Sequence, residues 1–393
     1  RQHGHRFRAA TRVTETAAAP VRFRGSAGGV RTFGVLPTER DRFPGGGAEC
    51  VPSGNFALLP TGGGTPLSCR IPLTPRRSRL SRASRRTFAI VLAVGVLGLM
   101  ACDPLGRAAR PPTATPLPTP TGDPVIAAAG DIACASDEAT PRQCQQKATS
   151  DLLVKRRLSA VLALGDLQYE TGRPDNYQRF YDPTWGRVKS ITRPVTGDHD
   201  YGGFDADGFF GYFGDLAGPA GKGYYSFDLG SWHLVALNAQ CGQVGGCERG
   251  SAQERWLAAD LASHPTKCLL AYWDTPRFAT GESDNDAQFD AFWHDLYAAG
   301  AEVVLNGDQH HYERFGPQDP NGKPTPDGIR EFIVGTGGKN HAPFASTPDP
   351  NSEVRNDKTF GVLIMTLHKD SFDWAFTPIA GQTFTDKGSQ ACH

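Results

Sequence analysis

The chain has 393 residues, with 41 Lys+Arg balanced by 41 Asp+Glu, which argues against a uniformly basic nucleic-acid binder and against an acidic disordered protein. That balance is a cancellation: residues 1–110 carry 18 Arg, no Lys and five acids, leaving 23 bases and 36 acids for the rest. With 39% hydrophobic residues overall, the acidic part can bury the core of one large domain or two small ones, and its negative charge argues against a nucleic-acid partner.

From the N-terminus, residues 1–83 are rich in Arg, Gly and Pro and show no sustained hydrophobic period. They read as a disordered or non-native upstream segment, an expectation strengthened by the absence of Met before Met100. Residues 84–102 read as a bacterial export signal. Ser84-Arg85-Arg86-Thr87-Phe88 resembles a twin-arginine motif, and the apolar run Ile90 to Met100 is too short to span a bilayer. Leu99-Met100-Ala101-Cys102 resembles a lipobox with Cys102 as the lipidated residue; an ordinary cleaved signal with an incidental Cys is the alternative. The Pro/Thr-rich stretch 103–124 reads as an extended linker. Together these features predict a domain, 125–393, exported across the cytoplasmic membrane and either lipid-anchored at the cell surface or secreted.

Within that domain, short runs rich in Val, Ile and aromatics predict strands at Val125–Ala129, Ala160–Leu164, Arg193–Thr196, Tyr224–Phe227, Trp232–Asn238, Cys268–Trp273, Glu302–Asn306, Glu331–Val334, Val362–Leu367 and Phe372–Phe376. Ser251-Ala252-Gln253-Glu254 is a capping box opening a helix. Over Ala287 to Ala299, Phe289, Phe292, Trp293 and Leu296 fall on one helical face. Gly202 through Gly214, rich in Gly and aromatics, forms either a lid or a packed loop. Cys134, Cys144, Cys241, Cys247, Cys268 and Cys392 are an even set with no C-x-x-C pair, which favours disulfides over a metal cluster in an exported protein. Their separations favour Cys134–Cys144 and Cys241–Cys247 as local pairs, with Cys268–Cys392 pinning the C-terminus.

Five of the predicted strands end in an acid, preceded by glycine in four of them and by Trp273 in the other. These are Gly130-Asp131, Gly165-Asp166, Gly197-Asp198-His199-Asp200, Trp273-Asp274 and Gly307-Asp308-Gln309-His310. Strand ends of a helix-covered sheet converge on one rim, where ligands bind. Carboxylates gathered there repel unless a cation neutralises them, so the pattern predicts a metal site.

These motifs resemble those of the calcineurin-like metallophosphoesterases, in particular the purple acid phosphatase-like branch and its bacterial secreted relatives. They are Gly-Asp at Asp131, Gly-Asp-x-x-Tyr at Asp166 and Tyr169, the Gly-Asn-His-Glu counterpart at Gly197 to Asp200, and the Gly-His-x-His counterpart at Gly307 to His310. The resemblance implies an α/β fold, an αββα sandwich of two mixed sheets flanked by helices. It also implies hydrolysis of phosphate esters by a hydroxide held between two metal ions. Asp131, Asp166, Tyr169 and His310 match the ligands of the first metal, where a phenolate favours Fe(III). His199 matches the residue that contacts the scissile phosphate and assists the leaving group.

At the second metal the chain departs from the family. Asp166 would bridge, but Asp198 stands for Asn, and Asp274 and Asp308 stand for His. Three added carboxylates turn a small positive formal charge negative, which repels a phosphate dianion; each pair of like unit charges at ~4 Å costs roughly 4 kcal/mol at an effective dielectric of about 20. A protonated Asp, an Asp outside the shell, or an oxygen-preferring ion such as Mn, Mg or Ca in place of Fe(II) or Zn would each relieve this. The resemblance therefore implies a phosphoesterase with an Asp-rich second site or, as the alternative, a weak or inactive phosphatase-like lipoprotein that binds metal. His341, in Gly337-Gly338-Lys339-Asn340-His341, is a further residue near the rim. His233, His264, His294, His368 and His393 read as structural.

Overall fold

The computed structural model describes residues 122–202, 205–281 and 286–393. The segment 1–83, the predicted export signal with Cys102 and most of the predicted linker lie outside the described residues, as do Gly203 and Phe204. Thirteen strands follow in chain order: β1 (Val125–Ala129), β2 (Ala160–Leu164), β3 (Thr192–Val195), β4 (Tyr225–Leu229), β5 (Trp232–Ala236), β6 (Cys268–Tyr272), β7 (Val303–Asn306), β8 (Tyr312–Phe315), β9 (Arg330–Val334), β10 (Ser352–Asn356), β11 (Gly361–Leu367), β12 (Ser371–Pro378) and β13 (Lys387–Ala391). All ten predicted strands form, with ends moved by at most two residues.

The strands make two mixed sheets, ordered β13-β12-β11-β1-β2-β3 and β10-β8-β9-β7-β6-β5-β4. Each has a parallel centre, β1-β2-β3 in one and β5-β6-β7-β9 in the other. Near-continuous apolar runs suit such strands, because both faces are covered. In β6, Cys268, Leu270 and Tyr272 enter the large core shared with the first sheet, while Leu269 and Ala271 face a second core. Helix α3 (Ala252–Ser263) supplies Leu257 to that second core, and helix α4 (Asp290–Ala298) supplies Phe292, Trp293 and Leu296. On the other side, helix α1 (Gln146–Val154) contributes Leu153 to the shared core. The architecture is the expected pair of mixed sheets flanked by helices.

Three strands escape the sequence pattern for a physical reason. β10 and β13 are half-exposed edges made of polar residues. β8 is buried throughout despite its charges, because each has a partner. Asp386 accepts from Arg314 Nε at 2.7 Å and from Tyr312 Oη at 2.7 Å, and Glu313 accepts from Thr280 Oγ1 at 2.6 Å.

The capping box at α3 forms with a shifted return contact. Ser251 Oγ accepts from Glu254 N–H, but the Glu254 carboxylate takes the N–H of Gly250 at 2.9 Å. The N–H of Ser251 is occupied by Glu248 O. All three expected disulfides are present, Cys134–Cys144, Cys241–Cys247 and Cys268–Cys392. The Gly/aromatic segment is a packed element: helix α2 (Asp207–Phe213) buries Phe209, Tyr212 and Phe213, with Tyr212 stacked on Tyr177.

Candidate metal centre

The carboxyl ends of β1, β2, β3, β6 and β7 meet at one rim. Backbone hydrogen bonds join the two sheets there, Gly130 N–H donating to Val334 O and Gly337 N–H to Gly130 O, both at 2.9 Å, while Asp131 N–H to Gly165 O at 3.1 Å and Gly307 N–H to Asp274 O at 2.9 Å tie neighbouring strand ends within each sheet. Asp131, Asp166 and Asp308 each follow a glycine and adopt left-handed φ values of 57°, 51° and 65°. Asp tolerates that region better than most side chains, at a cost on the order of 1 kcal/mol each. Three such residues on one rim mark a site whose geometry the surrounding structure imposes.

Four predicted ligands converge on one point. Tyr169 Oη lies 2.6 Å from Asp131 Oδ1, 2.8 Å from Asp166 Oδ2 and 3.0 Å from His310 Nε2, and that nitrogen is 3.0 Å from Asp131 Oδ1. Asp131, Asp166 and Tyr169 are buried, and His310 is partly exposed. Asp198, Asp274 and Asp308 form a second group whose oxygens lie within 4.8 Å of one another, and Asp198 also groups with Asp166 and His199. Thr275 and Gln309 decorate this group, with Gln309 Nε2 donating to Asp308 Oδ2 at 2.6 Å.

The residues fit bound cations. Asp131 Oδ2 and Asp274 Oδ1 are buried without a hydrogen-bond partner. Both flank Gly307, where a Cβ would stand 3.3 Å from each. Cβ atoms at Gly165 and Gly197 would overlap the carboxylates of Asp274 and Asp166. Glycine is therefore required where these acids close in on one another.

Burial, followed by the charges of neighbouring aspartates, pushes Asp166 and Asp274 well above the usual carboxylate range. The same causes raise Asp308 to about 6. Burial and the Asp131 and Asp166 charges push the Tyr169 phenol well up. Burial works to lower His310, but the charges of Asp131 and Asp308 prevail and raise it. So many acids cannot all ionise here without positive charge among them.

His199 stands beside the first cluster. Its Nδ1 is 2.6 Å from the carbonyl oxygen of Glu170 and its ring centroid is 4.3 Å from that of Tyr169. A carbonyl only accepts, so Nδ1 carries the hydrogen. Nε2 is thereby left for the site, 4.0 Å from Asp166 Oδ2. His341 braces the neighbourhood, with Nδ1 3.3 Å from His310 O and its ring against Phe360.

Two residues with no role in the sequence reading matter here. Asp200, fully buried, accepts from the N–H groups of Gly197, Leu167 and Gln168 and from Tyr177 Oη at 2.6 Å. It ties the Asp166 loop to the Asp198–His199 turn, and burial lifts it to about 6. The available signal was its position three residues after Gly197, the acid position of a capping box. Lys339 donates its backbone N–H to Asp131 O at 2.9 Å. Its ammonium pairs with Glu170 and sits 4.6 Å over the Tyr169 ring. No sequence pattern places it there, because β9 and the glycine turn after it do so.

No protein-family model matches the chain. It is 31% identical over 237 residues to purple acid phosphatase 21 of Arabidopsis thaliana, covering 54% of this chain and 52% of that one. It is also 33% identical over 147 residues to purple acid phosphatase 22 of the same plant, covering 35% and 32%. The chain thus spans about half the length of the first of these relatives. Among solved structures, the purple acid phosphatase PPD1 from yellow lupin (Lupinus luteus) seeds superposes with a TM-score of 0.60 at 18% identity, over 71% of this chain and 55% of that one. GAP50, the anchor in the inner membrane complex of Plasmodium, gives 0.50 at 12% identity, over 67% and 88%. Over about half of its length the chain is thus similar in sequence to purple acid phosphatases, and its two-sheet fold is the one seen in the lupin purple acid phosphatase.

Proposed function

We propose that the chain is a metal-dependent phosphoesterase. Asp131, Asp166, Tyr169 and His310 hold one cation, and Asp166, Asp198, Asp274 and Asp308 hold the other. The observation that carries this reading is the convergence of Asp131, Asp166 and His310 on the Tyr169 hydroxyl, beside two buried carboxylate oxygens that have no partner. A phenol among carboxylates suits Fe(III) at the first position. All-oxygen donors suit Mn, Mg or Ca at the second, with Fe(II) or Zn as the imidazole-tolerant alternatives. Bound there, two ions would polarise the phosphoryl oxygens and supply a water-derived nucleophile at neutral pH.

The chain's own residues supply the rest. Asp200 fixes the turn that carries His199. The Glu170 carbonyl holds the His199 Nδ1–H, so His199 would act as an imidazolium that donates its Nε2 proton to the departing alcohol oxygen. Export, with lipid attachment at Cys102, belongs to the same reading. The three disulfides support an oxidising compartment, and no helix among the described residues is long and apolar enough to cross a membrane.

The test uses the full chain, loaded in turn with Fe, Mn, Zn, Mg and Ca and assayed on nitrophenyl phosphate mono- and diesters. Turnover in at least one loading that disappears in Asp166→Ala supports the reading. Equal rates in the two proteins under every loading overturn it.

A second reading rests on the mutual proximity of Asp198, Asp274 and Asp308. In it the domain binds metal for stability or recognition and hydrolyses nothing. It expects the triple change Asp198→Asn, Asp274→His, Asp308→His to create activity that the parent lacks. Equal activity in parent and triple variant counts against it.

A further inference from the structure

Away from the rim, at the opposite end of the second sheet, two histidines and two carboxylates are gathered without any part in the chemistry above. His233 is the second residue of β5, and Asp228 lies directly across from it on β4, the edge strand. Asp260 sits in the last turn of α3, and His264 is that helix's C-cap, four residues on. His233 is buried and Asp260 partly buried, whereas His264 and Asp228 open to solvent.

The cluster is close-knit, and a turn of the exposed His264 ring out of its stack on His233 would aim both imidazoles at one ion. His233 Nδ1 is 2.7 Å from Asp228 Oδ1, and His233 Nε2 is 2.9 Å from Asp260 Oδ2. His264 Nδ1 is 3.4 Å from Asp260 Oδ1, and the two imidazoles are nearly parallel at 12° with centroids 4.4 Å apart. One nitrogen from each ring and one Asp260 oxygen all lie within 4.8 Å of one another. The rest of the surroundings is fixed: Ser226 Oγ donates to Asp260 Oδ1 at 2.8 Å, and His264 Nδ1 is 2.9 Å from Asp260 O.

We propose that His233, Asp260 and His264 form a second, peripheral zinc site, with Asp228 holding the His233 ring from behind. Two imidazoles and a carboxylate around an open fourth position form a donor set suited to Zn²⁺. An imidazole that presents Nε2 while its Nδ1–H is held by a carboxylate is the arrangement found behind zinc-ligating histidines. Binding replaces the Nε2 proton shared between His233 and Asp260, so uptake releases a proton and weakens as pH falls. The ion clips β5, and through it the edge strand β4, to the end of α3. Its role is structural and does not depend on the phosphoesterase reading.

The experiment uses the full chain, stripped with chelator, dialysed against Zn²⁺ and measured by elemental analysis and thermal melting. Asp166→Ala serves as a background in which the rim centre is disabled. Adding His264→Gln to that background is expected to lower the zinc content by one equivalent per chain and to abolish the remaining Zn-dependent rise in Tm. Asp228→Asn is expected to keep the equivalent but weaken it about 10- to 100-fold. In the wild-type background His264→Gln again removes one equivalent, which guards against misfolding caused by Asp166→Ala. Melting of the chelated His264→Gln protein reports whether its fold is intact. Unchanged zinc content and unchanged Zn-dependent Tm in both backgrounds overturn the site.

Discussion

Asp200 is surrounded by donors from two loops, and no side chain other than a carboxylate offers four or more lone pairs in so small a volume. Asp200→Ala leaves three buried N–H groups and the Tyr177 hydroxyl without their acceptor, at an expected cost of about 3–5 kcal/mol. Urea unfolding measures it, and Asp200→Asn should recover part of the loss. Stability unchanged in Asp200→Ala would show that water fills the gap. Lys339 raises a different question at the same scale. Its ammonium sits over the Tyr169 ring beside the first cluster, in a strongly acidic surrounding, and pairs with Glu170. If the phosphoesterase reading holds, Lys339→Gln should lower kcat/KM about 10-fold, chiefly through KM, and Glu170→Gln should lower KM. Steady-state kinetics at two salt concentrations distinguish this from a structural effect, because an electrostatic contribution fades with ionic strength.

At the scale of elements, glycine-linked strand ends explain why a metal centre can be built from five separate segments. Strands β1, β2, β3 and β7 each deliver an acid straight after a glycine, and β6 delivers Asp274 after Trp273; Gly165 and Gly197 let the Asp274 and Asp166 carboxylates come close. The disulfides act on other joints. Cys268–Cys392 closes a separation of 124 residues and fastens β6 to the chain's end, whereas Cys241–Cys247 closes only six. Chain-entropy arguments make the long closure the more stabilising. Replacing Cys268 and Cys392 by Ala should cost about 4–5 kcal/mol, more than replacing the Cys241–Cys247 pair, and guanidinium unfolding of the two double variants compares them. Equal losses would place the stabilisation in native packing and not in the unfolded chain.

At the scale of the molecule, the acidic excess becomes a stability statement. Asp308 and Asp200 are lifted to about 6, and Asp166 and Asp274 higher still. A carboxyl whose folded pKa is raised binds more protons folded than unfolded, so stability falls as pH rises through the interval between the two values. The chelated protein should therefore lose Tm between pH 4 and roughly 7. Added Mn²⁺ should restore it most at the upper end, where ionised ligands are available. The His233–Asp260 pair runs the other way at acid pH. Burial opposes both charges, yet the pairing holds Asp260 low and His233 high. Its contribution is present between those values, lost as pH falls through the Asp260 value and lost again as pH rises through the His233 value. A chelated protein whose Tm is flat over pH 4–7 would contradict the burial of charge at the rim.

Much of this was legible in the residues themselves. Periodicity and turn signals located ten strands, because parallel strands covered on both faces must be apolar and short. The ordered Gly-Asp strand ends located the centre, and cysteine spacing located the bridges. The polar edge strands have no apolar pattern to read, and the charged β8 was not legible because its partners Asp386 and Glu353 are distant from it in sequence. The same limit hid Asp200, Lys339 and the cluster of His233 with Asp260 and His264. By itself the sequence determined which residues line the strand ends and that their charge calls for cations. Only the tertiary structure decided which of them meet, because a carboxylate's role is set by the donors and charges that long-range folding brings within a few ångströms of it.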